Sequence, residues 1–163
     1  MAIALDNTSE DLAPYLRKAM EANCVLRCAK VRDLVDADWD PLVSAIAPYV
    51  VGESDFLRYF ASDLDTVFSS ESTLQVCLLL GTAPGDIGFI DRDELEVCFD
   101  PIEFQNDISC LNMLSFLQDV AKALGKEVTF AEDGSDEEPA IFKVMPDGQV
   151  LFYEENMPQP FID

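Results

Sequence analysis

Five cysteines and 32 carboxylates are the side chains of this sequence with the means to do chemistry, and there is no histidine beside them. Without histidine the Ser-His-Asp and Cys-His arrangements are excluded, as are the usual neutral-pH proton shuttle and most transition-metal or catalytic zinc sites. A four-cysteine zinc site needs closely spaced pairs. Cys24 and Cys28 make one such pair, but Cys77, Cys98 and Cys110 are widely separated. An odd number of cysteines spread over apolar segments reads instead as reduced thiols within a core. No catalytic residue, no metal and no cofactor is expected on these grounds.

The carboxylates can be tested against known spacings. Asp36, Asp38 and Asp40 repeat as in a calcium-binding EF-hand loop, but Pro41 stands where the turn glycine belongs and Ala47 where the bidentate glutamate would close the loop. Asp38 is better explained as a helix cap. No glycine pattern for cradling phosphate and no nucleophile elbow is present. An enzyme working through a pair of carboxylates is the surviving catalytic alternative, and it would need a substrate cleft around two converging acids.

One acidic stretch stands out. Between Asp86 and Asp107 lie Asp91, Asp93, Glu94, Glu96, Asp100 and Glu103, opposed within the stretch only by Arg92, with Ile102 and Phe104 set among them. Acids around apolar anchors are the composition of a docking face for a basic protein. Asp91, Asp93, Glu94, Glu96, Asp100, Ile102, Glu103 and Phe104 are therefore the candidate partner-binding residues, with Trp39 as a further anchor. The competing explanation is a solvated strand whose charges discourage edge-to-edge aggregation.

The charge is unevenly placed. Ten basic and 32 acidic residues leave a net charge of −22. Residues 1–60 hold 6 basic and 10 acidic side chains, a net of −4, and residues 61–163 hold 4 and 22, a net of −18. Such a field repels nucleic acid and anionic lipid and draws in basic partners.

The elements that must position these residues follow from periodicity and turn chemistry. A first helix, capped around Thr8–Asp11 with Pro14 in its first turn, carries Leu12, Tyr15, Leu16, Ala19 and Met20 at helical spacing. Cys24–Val31 fits either a continuation of that helix or a strand. Asp38 opens a helix with Pro41 in its first turn and Leu42, Val43, Ile46 and Tyr49 on one face, which Pro48 kinks or ends, and Ser54 caps a segment with Phe56, Leu57, Phe60, Leu64, Val67 and Phe68 on one face.

From Leu74 the pattern changes. Leu74–Leu80 reads as a buried strand, 81–88 as a Gly/Pro-rich turn, and Leu95, Val97 and Phe99 alternate with acids in a second strand closed by Pro101. Asp107 or Ser109 caps a long helix through Leu124, which ends on Gly125. Lys126–Ala131 is a strand, 132–138 an acidic loop, and 140–145 with 149–153 a hairpin turned by Pro146-Asp-Gly148.

Helices followed by local hairpins, in 163 residues with no internal repeat, imply a single α+β domain over 1–155, with an antiparallel sheet under amphipathic helices and an extended tail over 156–163. No run approaches the ~20 apolar residues of a membrane span. The N-terminal residues lack the basic start of a secretory signal, so a cytoplasmic protein is expected.

Small acidic α+β proteins of this kind resemble bacterial immunity proteins, which block a cognate toxin by covering its basic active site. The resemblance is one of class and transfers no site residue. It implies a non-enzymatic protein that neutralises a basic partner. The segment Phe116–Gly125 followed by Val128-Thr-Phe130 and a hairpin is also similar to the helix-then-sheet opening of secretion-type chaperones, which implies escort of a basic effector. A DNA-mimicking inhibitor is the third binding alternative.

Overall fold

The computed structural model describes residues 2–5, 9–52, 64–69, 74–89, 91–133 and 140–158. The strands are β1 (Ala2–Leu5), β2 (Arg27–Val31), β3 (Leu74–Leu80), β4 (Ala83–Phe89), β5 (Leu95–Phe99), β6 (Val128–Glu132), β7 (Phe142–Val144) and β8 (Val150–Tyr153). The helices are α1 (Ser9–Ala19), α2 (Trp39–Ile46), α3 (Leu64–Ser69) and α4 (Asp107–Leu124).

The eight strands among the described residues form one antiparallel sheet in the order β1-β8-β7-β6-β2-β5-β4-β3, and helices pack against it, so the fold is α+β as expected. Two local meanders, β3-β4-β5 and β6-β7-β8, make up most of the sheet. β2 joins them by pairing with β5 on one side and β6 on the other.

Alternation sorts the sheet's two faces. Ala29, Val31, Ile87, Leu95, Val97, Phe99, Val128, Phe130, Phe142, Val144, Val150 and Phe152 are buried in a core cluster shared with the helices. α4 packs against both α1 and α2 and reaches β3, β6 and β7. Its buried side includes Cys110, Met113, Leu114, Leu117, Val120 and Ala121, the three- and four-residue spacing of an amphipathic helix. Aromatic rings run across the core, with Phe130 stacked on Phe142 at 4.3 Å and Phe142 beside Phe152 at 5.3 Å.

Several expectations need correction. The segment 81–88 is not one long turn: Gly81 and Thr82 alone make the bend and β4 begins at Ala83. Gly81 has φ of +69°, and a Cβ there would run into Asn112. Pro84 is tolerated because β5 pairs only with Asp86–Gly88, so Pro84 lies beyond that ladder. Gly85 faces the core, where a Cβ would stand 3.0 Å from the Phe99 ring.

Pro14 is the sixth residue of α1 rather than in its first turn, and it is tolerated on the exposed side, where water can satisfy the carbonyl it leaves unbonded. Cys24–Val31 resolves as a turn followed by β2. Asp38 does not cap α2. Its Oδ2 accepts from the Val35 N–H at 2.9 Å, which holds the preceding 3₁₀ turn Asp36–Asp38. α4 is capped by neither Asp107 nor Ser109 but by Asn106, whose Oδ1 accepts from the Ser109 N–H at 2.8 Å. Gly125 ends α4 in the left-handed conformation, φ +62°.

β1, a strand for which the sequence carried no expectation, pairs with β8 from Ala2↔Tyr153 to Leu5↔Val150. The Ser54 cap, Phe56, Leu57, Phe60, most of the 132–138 loop and the end of the tail lie outside the described residues, while Leu64 and Phe68 pack against the core. A 3₁₀ turn, Glu154–Asn156, leads into the tail, and Met157 then packs on the core.

Candidate functional site

β5 divides the acidic stretch. Leu95, Val97 and Phe99 point into the core, which sends Glu96 to the opposite face. The β2–β5 register sets Lys30 against Glu96. Lys30 Nζ stands 3.5 Å from Glu96 Oε2 and 3.9 Å from Glu94 Oε1, and Arg32 Nε is 3.9 Å from Glu94 Oε1. The two acids are therefore neutralised by β2, a strand distant in sequence, and are not opposed by Arg92 alone.

Asp91 and Asp93 are exposed in the β4–β5 connection. Arg92 between them turns to the 3₁₀ turn before α2 and to α3: its Nε and Nη2 donate to Asp36 Oδ1 and Oδ2 at 2.7 and 2.8 Å, and its Nη1 pairs with Asp65. Arg92 holds the Asp36 carboxyl below the usual aspartate range. Trp39 is no surface anchor. It is 1% exposed, its Nε1 donates to the Arg92 carbonyl at 2.9 Å, and its ring lies against Phe68 and Phe89.

Asp100, Ile102, Glu103 and Phe104 sit at the other end of β5, in the connection to α4. Asp100 Oδ1 accepts from the Ile102 N–H at 3.2 Å and caps the 3₁₀ turn Pro101–Glu103. Ile102 is 65% exposed and Glu103 is exposed. Phe104 is a correction: it is fully buried and meets Phe99 edge-on at 5.5 Å, because the turn that presents Ile102 outward rotates Phe104 inward. The eight candidate residues thus fall into three places rather than on one face.

The place that combines charge with apolar surface is the last. A hollow of about 270 Å³ is lined by Ala22, Cys24, Leu26, Asp100, Pro101 and Ile102. Leu26 is 42% exposed, and Ile108, in the first turn of α4, is also strongly exposed. Glu21, Glu103 and Asp107 are exposed in the same two segments.

Its two walls are fixed by side chains that sequence reasoning missed. Arg27 is fully buried, and its guanidinium donates to the carbonyls of Ala19 at 2.8 Å, Glu21 at 2.6 Å and Val25 at 2.6 Å, and to Asn23 Oδ1 at 3.0 Å. That fork folds the α1–β2 turn, in which Cys24 takes φ of +63°. Burial lowers the Arg27 pKa, and the charges of Glu132 and Glu21 counter it. Gln105 Nε2 then donates to Met20 O at 2.9 Å and Pro101 O at 2.7 Å, tying the first wall to the second. Six hydrogen bonds from two side chains, five to the end of α1 and the turn after it and one to Pro101, are a rigid support for a binding surface.

Basic side chains gather elsewhere. Lys30, Arg32, Lys126 and Lys143, four of the chain's ten, line an open hollow of about 480 Å³ with Asp33, Glu127 and Thr129. Each faces an acid: Lys126 Nζ is 3.9 Å from Asp38 Oδ2 and Lys143 Nζ is 3.1 Å from Glu127 Oε1, beside the Glu94 and Glu96 pairings.

The cysteines also depart from expectation. Cys28 and Cys110 are buried, but Cys24 and Cys77 are exposed and Cys98 is partly exposed. Burial pushes the Cys110 thiol up to about 11, and a hydrogen bond with Asp86 raises that of Cys77. No described helix is long and apolar enough to cross a membrane. Comparison with family profiles, curated proteins and solved structures finds no significant match.

Proposed function

We propose that this chain is a non-enzymatic binding protein of the cytoplasm that holds a basic protein partner through the hollow between the α1–β2 turn and the β5–α4 connection. One observation carries the reading: in a chain of net charge −22, exposed Leu26 and Ile102 line a hollow beside Asp100, on backbone tied down by Arg27 and Gln105. Apolar anchors with an acidic rim suit a basic partner, the charge speeding encounter and the buried contacts setting affinity. In its narrowest form the partner is a toxin whose basic site this surface covers, as in immunity proteins.

The test uses the immobilised chain and lysate of its source cell, at low and high salt. The reading expects one basic protein, released by salt. Asp100→Asn with Glu103→Lys should abolish its capture, whereas Glu154→Lys with Glu155→Gln, an equal change in net charge, should not. Asn at 100 keeps a capping oxygen, so the turn survives the change. Ile102→Ala should weaken capture without altering charge. Equal losses in the two charge variants would reduce the interaction to ion exchange and defeat the proposal.

A further inference from the structure

Cys28 and Cys98 are cross-strand partners at the centre of the sheet, where β2 meets β5, and their sulfurs are 2.8 Å apart. Residues directly opposed in an antiparallel pair have Cα atoms about 4.5 to 5.5 Å apart, within the range that a disulfide spans. Both side chains lie on the face away from the helices. Cys98 is partly exposed while Cys28 is buried.

We infer that Cys28 and Cys98 form a reversible dithiol–disulfide pair, a redox-modification site that staples β2 to the β3-β4-β5 meander. The accessibility assigns the roles. Cys98 as thiolate attacks one sulfur of a low-molecular-weight disulfide RSSR, forming Cys98–S–SR and releasing RS⁻, which takes up the proton Cys98 gave. Cys28 then attacks the Cys98 sulfur, displacing a second RS⁻ that takes up the Cys28 proton. The pair loses two electrons and two protons, and the reagent gains both as two RSH.

A metal is the competing use of the same atoms, since Glu96 Oε1 lies 3.4 Å from Cys98 Sγ and 3.9 Å from Cys28 Sγ. Zinc–sulfur bonds of ~2.3 Å at a tetrahedral angle hold two sulfurs roughly 3.8 Å apart. These two stand closer, at 2.8 Å. The other oxygen of Glu96 faces Lys30. Both facts favour closure over metal binding. The hydrogen bond with Cys98, then burial and the neighbouring carboxylates, raise the Cys28 pKa, so exchange should quicken toward alkaline pH.

The probe is 2-hydroxyethyl disulfide, whose neutrality avoids repulsion by a chain of charge −22. In a Cys24→Ser, Cys77→Ser background, which removes the two exposed thiols, the product should carry no reagent, lack two hydrogens, yield a peptide linking residues 28 and 98, and return to the dithiol with dithiothreitol. Its thermal midpoint should exceed that of the reduced chain. Adding Cys28→Ser should trap one reagent on Cys98. Adding Cys98→Ser should slow reaction about tenfold or more, because the remaining thiol is buried. The linked peptide is also sought in the unsubstituted chain, which guards against a variant that folds poorly. A stable adduct on Cys98 with Cys28 present, linkage through Cys24 or Cys77 in place of the pair, or a thiolate–metal absorption band on adding cadmium that blocks the reaction would each overturn the assignment.

Discussion

Arg27 donates from Nε to the carbonyl oxygen of Ala19 at 2.8 Å, so the last carbonyl of α1 is closed by the first residue of β2. Arg27→Met would leave the carbonyls of Ala19, Glu21 and Val25 without these donors in a buried place. The expected loss is about 3 kcal/mol, read as a lower urea midpoint at unchanged slope. Arg27→Lys should recover only part of it, since an ammonium cannot reproduce the planar fork.

Phe104 and Ile102 are two residues apart and should behave oppositely. Phe104→Ala empties a fully buried site against Phe99 and should cost roughly 3 to 5 kcal/mol. Ile102→Ala, at 65% exposure, should stay within about 0.5 kcal/mol of wild type. Chemical denaturation of the two variants checks both, and equal losses would contradict the geometry of the turn.

Tyr49 gives the alkaline end of the stability profile a distinct shape. Its hydroxyl donates to Asp119 Oδ2 at 2.6 Å, and burial first, then that bond, pushes its pKa up to about 12. A raised folded pKa means stability that is complete below the unfolded value of ~10 and is lost as pH rises through the folded one. The stability difference between wild type and Tyr49→Phe should therefore shrink between about pH 10 and 12. Ultraviolet titration of the phenolate, paired with denaturation at each pH, measures this.

The acid end is set in part by Asp36. Its pKa is depressed by Arg92, so its contribution is present above the ordinary aspartate value and is lost as pH falls through the lower folded value. Arg92→Gln should return the Asp36 carboxyl to the ordinary range of ~3.9, followed by carbon-detected NMR. An unmoved titration would show that the pairing across the surface does not form in solution.

The parts of this fold that were legible in the sequence are those fixed by neighbours along the chain. The 3.6-residue period of α4 and its Gly125 stop, the alternation of β5 and the Asp-Gly bend between β7 and β8 all follow from local chemistry. What was missed depends on pairing between distant strands. β1 has only four residues, and its partner Val150–Tyr153 lies at the other end of the chain. β4 looked like a turn because the reasons for Pro84 and Gly85, a ladder that stops short and a ring that needs room, reside on β5. The candidate site fared similarly: Asp100, Ile102 and Glu103 stayed on the surface, Glu94 and Glu96 met cations from β2, and Arg27, in appearance a surface residue, became the support of the hollow.

The place of β2 between the two meanders also bears on how the chain folds. β3-β4-β5 and β6-β7-β8 are each built from near neighbours, but Cys28 must find Cys98 on one side and Ala131 on the other. Closing loops of that length costs entropy before any contact rewards it, so insertion of β2 is the natural slow step. Weakening β2 by Ala29→Gly should then retard refolding as well as hasten unfolding, whereas an equal loss placed in the β7–β8 hairpin, which forms before β2 inserts, should be felt in the refolding rate alone.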